Sequence, residues 1–261
     1  MRKIAVIASL LIVAGVLGSV FTFPSVESSV AAERDVDMTE IANINIRMDN
    51  GRVNVFRTDT SQAKIELEGS VSERDKPNFS VETEGDTLII EVAKERKLFQ
   101  FITFTGSATL NLYLPPKDYD SLIVDTDNGT FQAEELAVKE IQALTDNGKI
   151  TLDSITAETV DLNTANGKIV LADVEGKITG KTNNGSISFD TPDLDRSMDL
   201  ETDNGSITIQ TEEEQANAVI DARTDNGRVT VFGDSDWDTV TGDGDHEIKL
   251  RTSNGSITIE K

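Results

Sequence analysis

From Leu122 onward, apolar residues fall on alternate positions in short runs, and each run breaks at an Asn-Gly pair. Leu122-x-Val124-x-Thr126, Val160-x-Leu162-x-Thr164 and Ile248-x-Leu250-x-Thr252 lead into such a pair. Two residues after the glycine stands another apolar side chain: Phe131, Ile150, Ile169, Ile187, Ile207, Val229 or Ile257. Period-two alternation on both sides of a turn signal predicts strand, turn, strand. Asn and Gly tolerate positive φ, so they would turn the chain at low steric cost.

The structural turns predicted this way are Asn128-Gly129, Asn147-Gly148, Asn166-Gly167, Asn184-Gly185, Asn204-Gly205, Asn226-Gly227 and Asn254-Gly255. Their spacings are 19, 19, 18, 20, 22 and 28 residues, and a Thr precedes every Asn by two. An outlying copy, MDNGRVNV, occupies 48–55. Two architectures fit. An antiparallel sheet, sandwich or propeller would use each pair as a hairpin turn. A solenoid would use each repeat as one coil, stacked in parallel at about 4.8 Å. The near-constant period favours the second, an all-β, single-stranded parallel β-solenoid (β-helix-like). Its asparagines would align in a ladder of side-chain amides, and its Thr and Ile columns would align too. The longer spacings of 22 and 28 read as loops bulging from regular coils.

Residues 36–118 alternate less regularly, as in Ile44-x-Ile46, Leu88-x-Ile90-x-Val92 and Leu110-x-Leu112-x-Leu114, before Pro115-Pro116 interrupts. They read as an irregular N-terminal β cap on the regular coils of 119–261, because terminal repeats are atypical. Ahead of them lie a basic start at 1–3, an uncharged apolar run at 4–23 and a linker at 24–35. Twenty apolar residues suffice for one N-terminal apolar helix spanning a bilayer, with the basic end inside. The run is therefore expected to anchor an extracytoplasmic domain to the cell membrane. Ser29-Val30-Ala31 resembles a cleavage site, and the alternative is secretion after cleavage.

Composition narrows the function. The chain has 261 residues and a formal charge of −23. So acidic a surface repels phosphate backbones, which excludes nucleic acid as a partner. Cell-wall glycan, a cationic peptide and a membrane protein remain as partner classes. There is no cysteine, which removes disulfides, thiolate metal sites and a Cys nucleophile.

The repeated TDNG-x-[IV]-x-[LIV] units, the entry LYLPPKDYDSLIVDTDNG at 112–129 and the terminal TSNGSITIEK at 252–261 resemble a bacterial family known as putative adhesins. These are β-strand-repeat cell-envelope proteins built on a domain of unknown function. The resemblance covers 40–261. It implies a β-solenoid on the outer face of the membrane and a link to envelope stress. It carries over no catalytic residue.

The residues themselves offer little chemistry. The one histidine, His246 in GDGDHEI, cannot build a triad or a multi-His metal site. Stacking would bring Asp127 beside Asp146 and Asp203 beside Asp225, a like-charge clash that Ca²⁺ would relieve. Asp234, Asp236 and Asp238 share the odd spacing of a calcium loop. Thr239 stands where that loop needs glycine, and Asp245 where it needs a bidentate Glu, so the segment reads as an acidic insertion. Solvated, turn-capping acids are the simpler account of the four stacked aspartates, and no cofactor is expected. Phe99, Phe101 and Phe104 cluster as a capping strand or an exposed patch. The chain thus reads as a non-enzymatic envelope scaffold or interaction module. The alternatives are a carbohydrate-active enzyme on a β-helix and an anchored stress sensor relaying to a partner protein. An enzyme would show one rung where Asp meets Arg or Lys in a groove.

Overall fold

The computed structural model describes residues 27–72, 78–93, 107–213, 217–235 and 244–261. The predicted helix at 4–23, the phenylalanines at 99, 101 and 104, and Asp236 and Asp238 lie outside these residues. Every described element is a strand. In chain order they are β1 (Glu27–Asp37), β2 (Asn43–Arg57), β3 (Gln62–Ser72), β4 (Asn78–Glu84), β5 (Thr87–Ala93), β6 (Ser107–Leu114), β7 (Tyr119–Asn147), β8 (Ile150–Thr156) and β9 (Thr159–Asn166). There follow β10 (Ile169–Val174), β11 (Lys177–Asn184), β12 (Ile187–Thr191), β13 (Met198–Asn204), β14 (Ile207–Thr211), β15 (Ala218–Asn226), β16 (Val229–Val231), β17 (His246–Asn254) and β18 (Ile257–Glu260).

The strands form a parallel solenoid. One wall runs β6-β2-β7-β8-β10-β12-β14-β18-β16, all parallel and in register. The second wall carries the strands that precede each Asn-Gly, and it follows the same coil order. Nine rungs at about 4.8 Å give a stack roughly 40 Å long. Inward side chains fill it as columns. Phe131, Ile150, Ile169, Ile187, Ile207 and Ile257 lie directly over one another, each at most 1% exposed. Each such aliphatic contributes about 1.5–3 kcal/mol by leaving water.

Antiparallel strands close the N-terminal end. β3 pairs with β6, β1 with β3, and β4 with β5. Residues 27–35, read from sequence as linker, therefore belong largely to a paired strand, from Glu27↔Ser72 to Asp37↔Gln62.

Rung order departs from chain order at both ends. β2 lies between the β5–β6 coil and β7, so the outlying copy at 48–55 is an integral rung. The last coil, β17–β18, lies between β13–β14 and β15–β16. The spacings of 22 and 28 therefore reflect more than bulging loops. The chain skips a rung between Asn204 and Asn226 and returns to fill it at Asn254.

The glycines also play a different part from the one expected. Among the described glycines positive φ occurs at Gly51, Gly85, Gly176, Gly233 and Gly244, and not at the other seven Asn-Gly glycines. Those seven are small because the coils touch there. A Cβ on Gly148 would lie 1.6 Å from the Gly129 carbonyl oxygen, and one on Gly167 1.7 Å from that of Gly148. The left-handed corner lies elsewhere, at Glu135, Ser154 and Asp173, which occupy equivalent places on successive rungs.

Candidate functional site

The Asn-Gly edge is the most regular surface of the molecule. The Thr two before each Asn points inward and is buried, or half-buried at Thr224, and in most rungs its hydroxyl donates to the Gly carbonyl of the neighbouring coil. The bonds run Thr164 to Gly148 at 3.2 Å, Thr182 to Gly167 at 3.0 Å and Thr202 to Gly185 at 2.8 Å. Thr252 to Gly205 and Thr224 to Gly255, both at 2.9 Å, continue the series. Thr126 is buried at 2% and its hydroxyl has no partner.

The asparagines, two residues after these threonines, are exposed. Their amides form one unbroken ladder. Asn128 donates to Asn50 at 3.0 Å, Asn147 to Asn128 at 2.8 Å, Asn166 to Asn147 at 3.0 Å and Asn184 to Asn166 at 2.9 Å. Asn204 donates to Asn184 and Asn254 to Asn204, both at 3.0 Å, and Asn226 to Asn254 at 3.1 Å. All eight pairs seen in the sequence join this one edge.

The acidic candidates flank the ladder. Asp127 and Asp146 do occupy neighbouring rungs, with Asp49 on the far side of Asp127. Asp203 and Asp225 do not adjoin, because Ser253 occupies the rung between them. The clash expected there does not arise in this rung order. Asp234 forms an isolated bridge with Val231 beyond β16. His246 opens β17, its backbone bonded to the Asn217 carbonyl. Among the described residues no three His, Cys, Asp or Glu side chains gather as a metal group.

The outward faces of the walls are open. On one, hydroxyls repeat from rung to rung at Ser188, Thr208 and Thr258. On the other, charges of opposite sign pair across rungs and along strands. Lys181 meets Glu201 at 3.1 Å, and Asp221 accepts from Arg223 at 2.6 Å and from Arg251 at 2.8 Å.

Clefts among the described residues indent this surface. One of 390 Å³ gathers Arg57, Lys117, Asp118, Tyr119 and Glu135 below Pro115 and Pro116. Acid and base do meet here, but Lys117 is already engaged. Its ammonium donates to the carbonyls of Met38, Thr39 and Ile41 at 3.0, 3.4 and 2.6 Å and lies 5.7 Å from the Tyr119 ring. Tyr119 donates to the Pro115 carbonyl at 3.1 Å, and burial pushes its phenol up to about 12. The segment thus staples the first regular coil to the N-terminal loop. A second cleft, of 360 Å³, lies along the ladder at Arg52, Asn128 and Asn147. The third, of 200 Å³, surrounds Ile123 and the exposed Leu144. Sequence reasoning missed the first cleft, although the interrupting Pro-Pro-Lys marks it.

These features define an all-β solenoid of Thr-x-Asn-Gly rungs with antiparallel N-terminal strands. The sequence matches the family described as Toastrack DUF4097 over residues 41–177 and again over 135–260. The chain belongs to that family, in accord with the resemblance carried by its TDNG units. The uncharacterized protein YvlB of Bacillus subtilis is 29% identical over 107 residues, 41% of this chain. The match spans 29% of YvlB, less than a third of its length. Among solved structures, a putative cell adhesion protein from Clostridium sporogenes is 14% identical, with a TM-score of 0.46, covering 89% of this chain and 99% of that one. A putative adhesin from Parabacteroides distasonis is 13% identical, with a TM-score of 0.47, covering 90% and 98%.

Proposed function

We propose that this protein is a non-enzymatic, extracytoplasmic scaffold or interaction module of the cell envelope, adhesin-like in its mode of contact. Residues 4–23 anchor it to the membrane. The observation that supports this reading most is the continuous ladder from Asn50 to Asn226, which keeps eight rungs in register. A rigid stack in register repeats the same polar groups at fixed spacing. Many shallow contacts then add up without a deep pocket. The surface suits cell-wall glycan, whose hydroxyls match rows of amides and hydroxyls, better than an anionic polymer, which a charge of −23 repels.

Co-sedimentation of residues 27–261 with intact cells and with purified cell wall tests the proposal, in calcium and in chelator. Starting at Glu27 retains β1. Pelleting in both media is the expected result. Pelleting lost in chelator would assign the contact to a bound cation. Failure to pellet in either medium would overturn direct binding. It would favour a sensor that depends on residues 4–23 to reach a membrane partner.

A further inference from the structure

The eight Asn-Gly pairs share a sequence but not an environment. In the interior of the ladder each Asn side chain is held on both sides, donating to one neighbour and accepting from the other. Four of the interior glycine amides are held as well. Gly148, Gly185, Gly205 and Gly255 donate their N–H to the backbone carbonyls of Asn166, Asn204, Asn254 and Asn226. Asn50, at the far end, accepts from Asn128, and the Ala108 carbonyl of β6 covers Gly51.

Asn226 ends the ladder at the other side. It donates to Asn254, and among the described residues nothing donates to its Oδ1. Among the described residues no further rung follows to accept the Gly227 N–H. Gly227 is also exposed, whereas the other seven of these glycines are buried or half-buried. Among the described residues the open end of the stack thus leaves Asn226-Gly227 with no donor to the Asn226 Oδ1 and with solvent at both residues.

We propose that Asn226-Gly227 is a self-modifying site, at which the chain deamidates while the interior pairs are protected by stacking. The Gly227 backbone nitrogen, losing its proton to water or hydroxide, attacks Cγ of Asn226. An N–C bond forms, the Cγ–Nδ2 bond breaks, and ammonia leaves with the proton it needs. Water then opens the five-membered imide at either carbonyl, giving aspartate or isoaspartate. No oxidant or second substrate is required. The product exchanges the donor to Asn254 for a carboxylate beside Asp225, so the end rung loosens and the surface gains a negative charge.

The test is peptide mapping by mass spectrometry of the folded chain held in mildly alkaline buffer, with isoaspartate scored separately. Trypsin releases 224–228 as its own peptide, with Asn147 and Asn166 in others. A several-fold lead of 224–228 over every interior pair is expected, shrinking to near equality in denaturant. Asn226→Gln should abolish modification of that peptide alone, in a chain that still melts cooperatively. An interior pair deamidating as fast as Asn226 in the folded chain would overturn the proposal. So would a lead that persists unchanged in denaturant, because stacking would then not be its cause.

Discussion

Asn254 donates its side-chain amide to Asn204 at 3.0 Å, although Asn226 is the next asparagine of the repeat after Asn204. The last coil has entered the stack one rung early. Charge explains why this order suits the chain. Lys249 pairs in register with Asp199 on one side and Asp221 on the other. In chain order the two aspartates would adjoin. The N-terminal inversion works alike. Arg47 sits 3.6 Å from Glu91 and 4.0 Å from Asp125, separating two acids that sequential stacking would bring together. These pairs are exposed and contribute little to stability. They discriminate between orders, since like charges directly opposite are unfavourable.

The glycine column limits how close any substitution can come. Gly148→Ala places a Cβ 1.6 Å from the Gly129 carbonyl, a backbone atom that cannot swing aside. We expect a loss of more than about 3 kcal/mol in urea melts. Gly85→Ala is the contrast, with φ of +62° and nothing within 4 Å. It should cost only about 1 kcal/mol, from backbone conformation alone. Similar costs at the two sites would remove close approach as the reason for glycine.

The threonine column gives a change of sign. Thr202→Val deletes a donor to the Gly185 carbonyl at 2.8 Å and should cost about 1 kcal/mol. Thr126 is equally buried but its hydroxyl has no partner, so Thr126→Val should be neutral or stabilising. Chemical denaturation of both variants against the parent checks this. Equal destabilisation would mean that the hydroxyl bonds do not hold the coils.

Tyr119 predicts a pH dependence. Burial raises its phenol from 10.0 to about 12 in the folded chain. The folded state therefore keeps a proton that the unfolded state gives up. The stabilisation is complete below pH 10 and is lost as pH rises toward 12. Tyr119→Phe should flatten the decline across that window while losing the bond to Pro115. Parallel declines in parent and variant would assign the alkaline transition to other groups.

The repeating half of the fold was legible because alternation, Thr-x-Asn-Gly and a steady period all report one coil. The parallel walls, the buried Ile column and the asparagine ladder follow from that period. Rung order was not legible, since the rungs are interchangeable by pattern and only outward charges such as Lys249 and Arg47 tell them apart. The glycine reading failed because Asn-Gly is a hairpin signal in antiparallel sheets, whereas here it marks contact between coils. The true left-handed corner, at Glu135, Ser154 and Asp173, carries no residue that announces it. The staple at Lys117 escaped notice because its partners are carbonyls 76–79 residues away.

The chain lacks cysteine, so paired substitutions test rung order without background. Adjacent rungs place equivalent Cα atoms about 4.8 Å apart, within disulfide reach, while alternate rungs lie near 9.6 Å, beyond it. Asp203→Cys with Ser253→Cys should therefore close a disulfide in mild oxidant, and Asp203→Cys with Asp225→Cys should not. Closure of the second pair but not the first would restore chain order and contradict the interleaved stack.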